Sequence, residues 1–278
     1  MMKGVIRVEL FKILRQSKTL YALVAIFIIE GFVLVSAYYQ GTEIIDLLLA
    51  NLKDTFEFKG DLLNGNLIIY MILNSLWFHI PLILMIIVSG FLTSEYKDRT
   101  IEAVLLQPVS KTKFIGSKYL VSSLFTLLVV FLLAISTFGI SYLVFGKGDL
   151  VVYLNGLNFY PTEEAFWRLA SAFAVGTLSM LFFSLVSLTF AVLFKDATKT
   201  WIVSAIFLVC TNLLLKIDFD NSILNRFFYS KLIDSWQYYF YYEIPYEKIY
   251  INMSVLFLYC VFVSIAGIIV FKKRDLLP

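Results

Sequence analysis

Six long apolar runs, each almost free of charge, constrain this chain more than any other feature. They fall at about 19–39, 67–93, 116–145, 166–194, 197–217 and 249–271. About 20 residues of helix span roughly 30 Å, the thickness of the hydrocarbon core of a bilayer. In that core every backbone N–H and C=O must be bonded inside the protein, and a helix does this within its own turns. The runs predict an all-α membrane protein with six transmembrane helices. Composition agrees: 60% of the residues are hydrophobic and 15% charged, where about 25% charged is ordinary for a soluble domain. A soluble core could not hide so much apolar surface. The length of 278 residues suits one transmembrane domain, 1–278, rather than a membrane domain with an enzyme attached.

The segments between the runs have their own character. In residues 1–18 five basic residues alternate with Val5, Ile6, Leu10, Ile13 and Leu14 at helical spacing. This predicts an amphipathic helix in the membrane interface rather than a signal peptide. Residues 40–66 are acidic, with Glu43, Asp46, Asp54, Glu57 and Asp61. Residues 146–165 read as a short loop turning at Gly146, Gly148, Gly156 and Pro161. Within 218–248, and just beyond it, the composition is unusual: 227–250 holds 11 aromatic residues in 24. Tyr and Trp favour the headgroup zone, so helices at the outer surface, or partly re-entering it, are expected there.

Inside the runs, a few residues stand out. Glu30 lies near the middle of the first, where a carboxylate costs about 2.5–3.5 kcal/mol, so it should face protein or water rather than lipid. His79 and Pro81 lie in the second, where Pro81 should kink the helix and Asn74 or Ser75 are placed to satisfy freed backbone groups. Glu30 and His79 are candidate translocation-path residues; the alternative for each is a packing residue satisfied by its neighbours. On the fourth run Ser171, Ala174, Gly176, Ser179 and Ser184 should permit close helix contact. Cys210 and Cys260 both sit in apolar runs and read as small packing residues. With one histidine and no Cys/His cluster, no metal site is expected.

The distribution of Lys and Arg sets the orientation. Placing both termini, 94–118 and 195–200 on one side puts 15 of the 23 basic residues there. The opposite side has the other 8 and carries 13 of the 20 acidic residues. By the positive-inside rule the first side is cytoplasmic, so the chain should cross the cell membrane several times with both termini in the cytoplasm.

The polar stretch SEYKDRTIEAVLLQPVSKTKFIGSK at 94–118 is the most informative connection. Residues 96–106 read as a short amphipathic helix with Ile101, Val104 and Leu105 on its apolar side. Glu95, Asp98 and Glu102 follow at spacings that share another face. Pro108 should stop the helix, and Ser110 should N-cap the next one. The region 94–115 thus forms a ledge on the cytoplasmic side; the plain alternative is a solvated loop with a Glu95–Arg99 surface pair.

The run Glu95…Thr100-Ile101-Glu102…Leu105-Leu106-Gln107-Pro108-Val109-Ser110-Lys111, followed by Lys118, resembles the cytoplasmic loop of ABC-2 type transporter permeases. That family carries a Glu, a Thr, paired leucines and a Pro-Val-Ser-basic run between its second and third spans. Arg99 stands where the family usually has Gly. The resemblance implies a coupling helix that contacts a separate ATPase, with Glu95, Asp98, Arg99, Thr100, Ile101, Glu102, Leu105, Pro108 and Ser110 as coupling residues. It also implies a re-entrant helical hairpin before the sixth span.

The chain has no G-x-x-x-x-G-K-[ST] loop and none of the motifs G-x-S-x-G or H-E-x-x-H. It is therefore expected to be no enzyme and to bind no cofactor itself. ATP and Mg would sit on a partner ATPase, expected in two copies, and a second permease chain, identical or related, would complete the path. Membrane lipids are the remaining expected partners; nucleic acid is not one. The aromatic-rich, uncharged spans point to an amphipathic or hydrophobic cargo such as a drug, peptide or lipid-like molecule. Two alternatives stay open: a permease of the same family that extrudes an ion such as sodium, and a membrane-embedded enzyme using Glu30 and His79 as an acid–base pair. The topology is testable. A cysteine at Lys113 should be shielded from impermeant thiol reagents added outside intact cells, whereas one at Asp149 or Asp54 should react. External labelling at Lys113 would reverse the orientation.

Overall fold

A computed structural model describes residues 2–48, 62–106, 110–154, 156–220 and 222–273. The helices are α1 (Met2–Arg15), α2 (Ser17–Leu48), α3 (Gly65–Lys97), α4 (Thr100–Leu105), α5 (Lys111–Phe145), α6 (Thr162–Phe194), α7 (Ala197–Lys216), α8 (Ser222–Phe227), α9 (Tyr229–Leu232) and α10 (Tyr246–Lys273). A 3₁₀ turn covers Ser235–Phe240. Six of these helices, α2, α3, α5, α6, α7 and α10, are long and apolar enough to cross a membrane. Outward-facing Leu20, Phe27, Phe32, Phe131, Phe257 and Phe262 leave a wide apolar surface that suits lipid rather than water.

Local chemistry accounts for where the helices begin and end. Asn64, Ser110 and Asp196 are N-caps, their side-chain oxygens accepting from the backbone N–H of Leu67, Lys113 and Lys199. Glu163 and Glu164 lie in the first turn of α6, where carboxylates favour the helix dipole. At the end of α5, Gly146 has φ +69° and ψ −178°, a region open to glycine, and its carbonyl accepts from Gly65 N–H at 2.9 Å. That bond ties the start of α3 to the end of α5.

The expectation of a plain loop at 146–165 is corrected. Leu150–Tyr153 (β1) and Leu157–Tyr160 (β2) form an antiparallel hairpin, with Leu150 opposite Tyr160 and Val152 opposite Asn158. Leu150, Val152 and Tyr160 are buried. The fold is therefore nearly, but not wholly, helical. Four alternating residues per strand are too few to distinguish a strand from a loop by pattern alone.

Span four, α6, is the central post, packing chiefly on α3 and α10. It approaches α3 closely at Gly176, where a Cβ would lie 1.8 Å from Trp77 Cζ2. Ser179 and Ser184 also serve the packing expected of them: Ser179 Oγ donates to Ile233 O at 2.7 Å, and Ser184 Oγ accepts from Thr126 Oγ1 at 2.8 Å. Ala174 instead faces outward, so it does not serve packing within this chain.

The aromatic segment does not simply float at an interface. Trp236 and Phe240 are buried, with Trp236 5.2 Å from Trp77 and Phe240 4.8 Å from Tyr70, centroid to centroid. Its bond to Ser179 lies about 25 Å along α6 from Thr162. The segment thus runs down into the bundle.

The Trp77 contact generates a test. Gly176→Ala should force the indole aside and lower stability by about 1–3 kcal/mol, seen as a fall in the thermal midpoint in detergent. Adding Trp77→Leu should recover part of the loss. A Gly176→Ala protein as stable as wild type would mean that the two helices do not meet so closely.

Candidate functional site

Between spans two and three the structure redraws the ledge. Helix α3 does not end before the polar stretch; it carries on through Glu95 and Tyr96 to Lys97. Asp98 N–H then bonds Ser94 O, and Arg99 turns the chain at φ +53°. That left-handed conformation is strained for a residue with a side chain and natural for glycine. Only after it does α4, Thr100–Leu105, begin. Asp98, Arg99, Thr100 and Glu102 are exposed on this short step, and so is Ser110 at the next N-cap. Leu106 is 88% exposed. The side chain of Leu105 and all of Pro108 lie outside the described residues.

Two expected coupling residues are placed differently. Ile101 is 3% exposed and belongs to the chain's own apolar core, so it is not presented to a partner's groove. Glu95 is 5% exposed and shares no outer face with Asp98 and Glu102, because the helix breaks between them. Its carboxylate is instead held by two lysines. Lys118 Nζ lies 2.8 Å from Glu95 Oε1, 2.5 Å from Glu9 Oε2 and 3.0 Å from Phe91 O. Lys12 Nζ lies 2.6 Å from the same Glu95 oxygen and 3.9 Å from Glu9. Burial works against the Lys12 ammonium, but the bond to Glu95 and the charges of Glu95 and Glu9 outweigh it and hold its pKa above the ordinary lysine value.

This cluster shows what the inward face of α1 meets. Its residues Ile6, Leu10 and Ile13 pack on the protein core, and Glu9 turns inward to Lys118. The exposed side of α1 is Arg7, Val8, Phe11 and Arg15, with the Arg15 guanidinium 4.6 Å from the Phe11 ring centre. The apolar stripe faces the bundle, and the carboxylate beside it meets a cation there. Sequence held one signal for this: Lys118 follows Phe114 and Ile115 into an apolar run, where an ammonium requires an acidic partner.

Deeper in the bundle Glu30 is 1% exposed and faces span three. Ser136 Oγ and Thr137 Oγ1 each lie 2.8 Å from its carboxylate. His79 is exposed on the outer side of α3 together with Asn74, Ser75 and Phe78. Its Nδ1 donates to Ser75 O at 2.9 Å. Asn74 Nδ2 donates to Tyr70 O at 2.9 Å, so it serves that carbonyl rather than one freed by Pro81. Glu30 and His79 share no partner, and the structure does not bring them together as an acid–base pair.

Arg168, not singled out by sequence, organises the opposite end. It is 8% exposed, its Nε donates to Glu164 at 2.8 Å, and its Nη1 donates to the carbonyls of Tyr239 and Tyr241 at 2.6 and 2.9 Å. The guanidinium also lies 4.1 Å from the Tyr160 ring centre. It pins the aromatic segment to span four and the hairpin. Nearby, a cavity of ≈ 1020 Å³ is lined by Arg226, Lys231, Lys248, Asp234, Glu247 and several tyrosines. Burial pushes the Asp234 carboxyl up to about 6, against the opposing influence of Trp236. Among the described residues no group of His, Cys, Asp and Glu is arranged to hold a metal ion.

The hydroxyl cradle gives Glu30 a testable signature of packing. Glu30→Gln keeps an acceptor for one hydroxyl and should stay within about 1 kcal/mol of wild type. Glu30→Leu should lose about 1–3 kcal/mol, because Ser136 and Thr137 lose their shared acceptor. Equal thermal midpoints for the Leu variant and wild type would show that the cradle is not formed.

None of the curated proteins compared matches the chain. Residues 44–277 match the family described as "Protein of unknown function (DUF2705)". The match takes in five of the six spans, the ledge, Glu95 and Lys118, and begins after Glu9, Lys12 and Glu30. Spanning most of its length, it shows that the chain belongs to the DUF2705 family.

Proposed function

We propose that this chain is the membrane-spanning permease subunit of an ATP-driven exporter of the ABC-2 type, with the ledge as the contact for a separate ATPase. The observation that carries this reading is the exposed step formed by Asp98, Arg99, Thr100 and Glu102, with Leu106 beside it, between two long apolar helices. A partner pushing on such a step moves spans two and three directly, since α3 runs unbroken to Lys97 and α5 starts at Lys111. The left-handed turn at Arg99 supports the resemblance physically: it stands where those permeases usually carry Gly, the residue such a turn favours.

Three further features fit. The basic residues favour the ledge side as cytoplasmic. The aromatic segment, docked through Trp236 and bonded to Ser179, is consistent with a re-entrant hairpin before the last span. Polar His79, Asn74 and Ser75 face outward from α3 near its middle, where lipid would be a poor neighbour. A second permease chain or the path itself is the suitable environment for that face. ATP and Mg belong to the partner ATPase, two copies of which would serve two permeases in the cell membrane. The cargo is an amphipathic or hydrophobic molecule.

Assembly tests this. When the chain is co-expressed with the ATPase that purifies with it, the variant Asp98→Lys/Glu102→Lys/Leu106→Ser should bind about tenfold more weakly, roughly 1.4 kcal/mol. The loss should be larger at low salt, where exposed charges are less screened. His79→Ala should assemble normally. Wild-type assembly and ATPase stimulation by the triple variant would remove the ledge from the contact and the reading with it.

A further inference from the structure

The charge cluster beside the ledge joins three elements that are far apart in sequence. Glu9 and Lys12 come from α1, Glu95 from the last turn of α3, and Lys118 from the second turn of α5. Lys118 is at its centre, 2% exposed, bonded to both carboxylates and to the Phe91 carbonyl. Two carboxylates and two ammoniums cancel, which is the condition for burying them. Among the described residues, Glu95 Oε2 is buried with no hydrogen-bond partner.

Buried ion pairs rarely stabilise more than well-packed apolar side chains of the same size; their best-attested use is to specify one arrangement among several. The packing of α1 needs such a device. Its inward stripe is only three apolar side chains, Ile6, Leu10 and Ile13, and apolar contacts of similar volume are tolerant of how they are arranged. Charge pairing to Lys118 and Glu95 is satisfied in one register alone.

We propose that the Glu9–Lys12–Glu95–Lys118 cluster is a register lock that fixes the N-terminal helix against the ledge and the base of span three, with Lys118 as its central positioning residue. Glu95 lies three residues before the exposed Asp98, so a displacement of the ledge carries α1 along with it. This mechanical consequence rests on the exporter reading; the lock itself does not.

Spin labels at Val8→Cys and Thr112→Cys, both exposed positions on α1 and α5, read the register in the purified full chain with Cys210 and Cys260 replaced. The parent should give one narrow distance. Lys118→Met should broaden it, and amide exchange across residues 6–15 should quicken at least tenfold. The apolar set Glu9→Met/Glu95→Met/Lys118→Met should regain the thermal midpoint of the parent yet stay broad. If the apolar set restores the narrow distance, packing alone sets the register and the lock is overturned. It is equally overturned if Lys118→Met keeps the parent distance and exchange. Should those variants fail to fold, Glu9→Gln alone must still quicken exchange in α1; unchanged exchange counts against the lock. In the ATPase complex, the distance should be the same with ADP and after vanadate trapping, and a change would show that α1 and the ledge move separately. No co-purifying ATPase for the wild type would sink the exporter reading while leaving the register result intact.

Discussion

A charge taken into this protein must find its complement there, and the places where that happens hold the architecture together. An ammonium or carboxylate stripped of water costs several kcal/mol unless it is paired and hydrogen-bonded. Three buried polar groups, Lys118, Arg168 and the hydroxyl-bonded Glu30, each tie together elements distant in the chain. Lys118 draws in Glu9 and with it the N-terminal helix. Glu30 joins span one to span three through Ser136 and Thr137. Arg168 gathers the carbonyls of Tyr239 and Tyr241 and brings the aromatic segment onto span four. Each pairing is long-range in sequence, and each selects one placement where apolar packing would tolerate many.

Packing then sets how close the spans come. In lipid no hydrophobic force drives one apolar helix against another, so association relies on shape. Gly176 gives Trp77 a seat on span four, and Trp77 in turn receives Trp236 from the aromatic segment. The hairpin closes the same end of the bundle, Tyr160 Oη donating to Phe240 O at 2.8 Å. Those contacts tie that end, while the opposite end carries the exposed step between spans two and three. A fold with one braced end and one presented step suits a part that is pushed from one side.

The proposed role follows from this contrast more than from any single side chain. The ledge is polar outside and anchored inside: Asp98, Arg99 and Glu102 face outward, while Glu95 and Ile101 hold to the body of the protein. Groups that were expected to share one function are thus split between exposure and anchorage. The proposed contact would need both, since an exposed step with no anchorage would yield when pressed.

The sequence by itself determined the six apolar spans, their order and nearly their limits, because hydropathy and helix rise are local properties of about 20 residues. It also determined the N-cap at Ser110 and the location of the ledge, which rest on neighbouring residues alone. Part of the site was legible too: Asp98, Arg99, Thr100 and Glu102 are exposed as their polarity suggests. Only the tertiary structure decided that Glu95 turns inward, that the apolar stripe of α1 packs on the bundle, and that Leu150–Tyr153 pairs with Leu157–Tyr160. Those outcomes depend on partners such as Lys118, 23 residues beyond Glu95 and 109 beyond Glu9. A carboxylate at a helix end has the same local pattern whether it meets water or a buried lysine. The difference is made by desolvation and pairing energies that exist only once distant segments have come together.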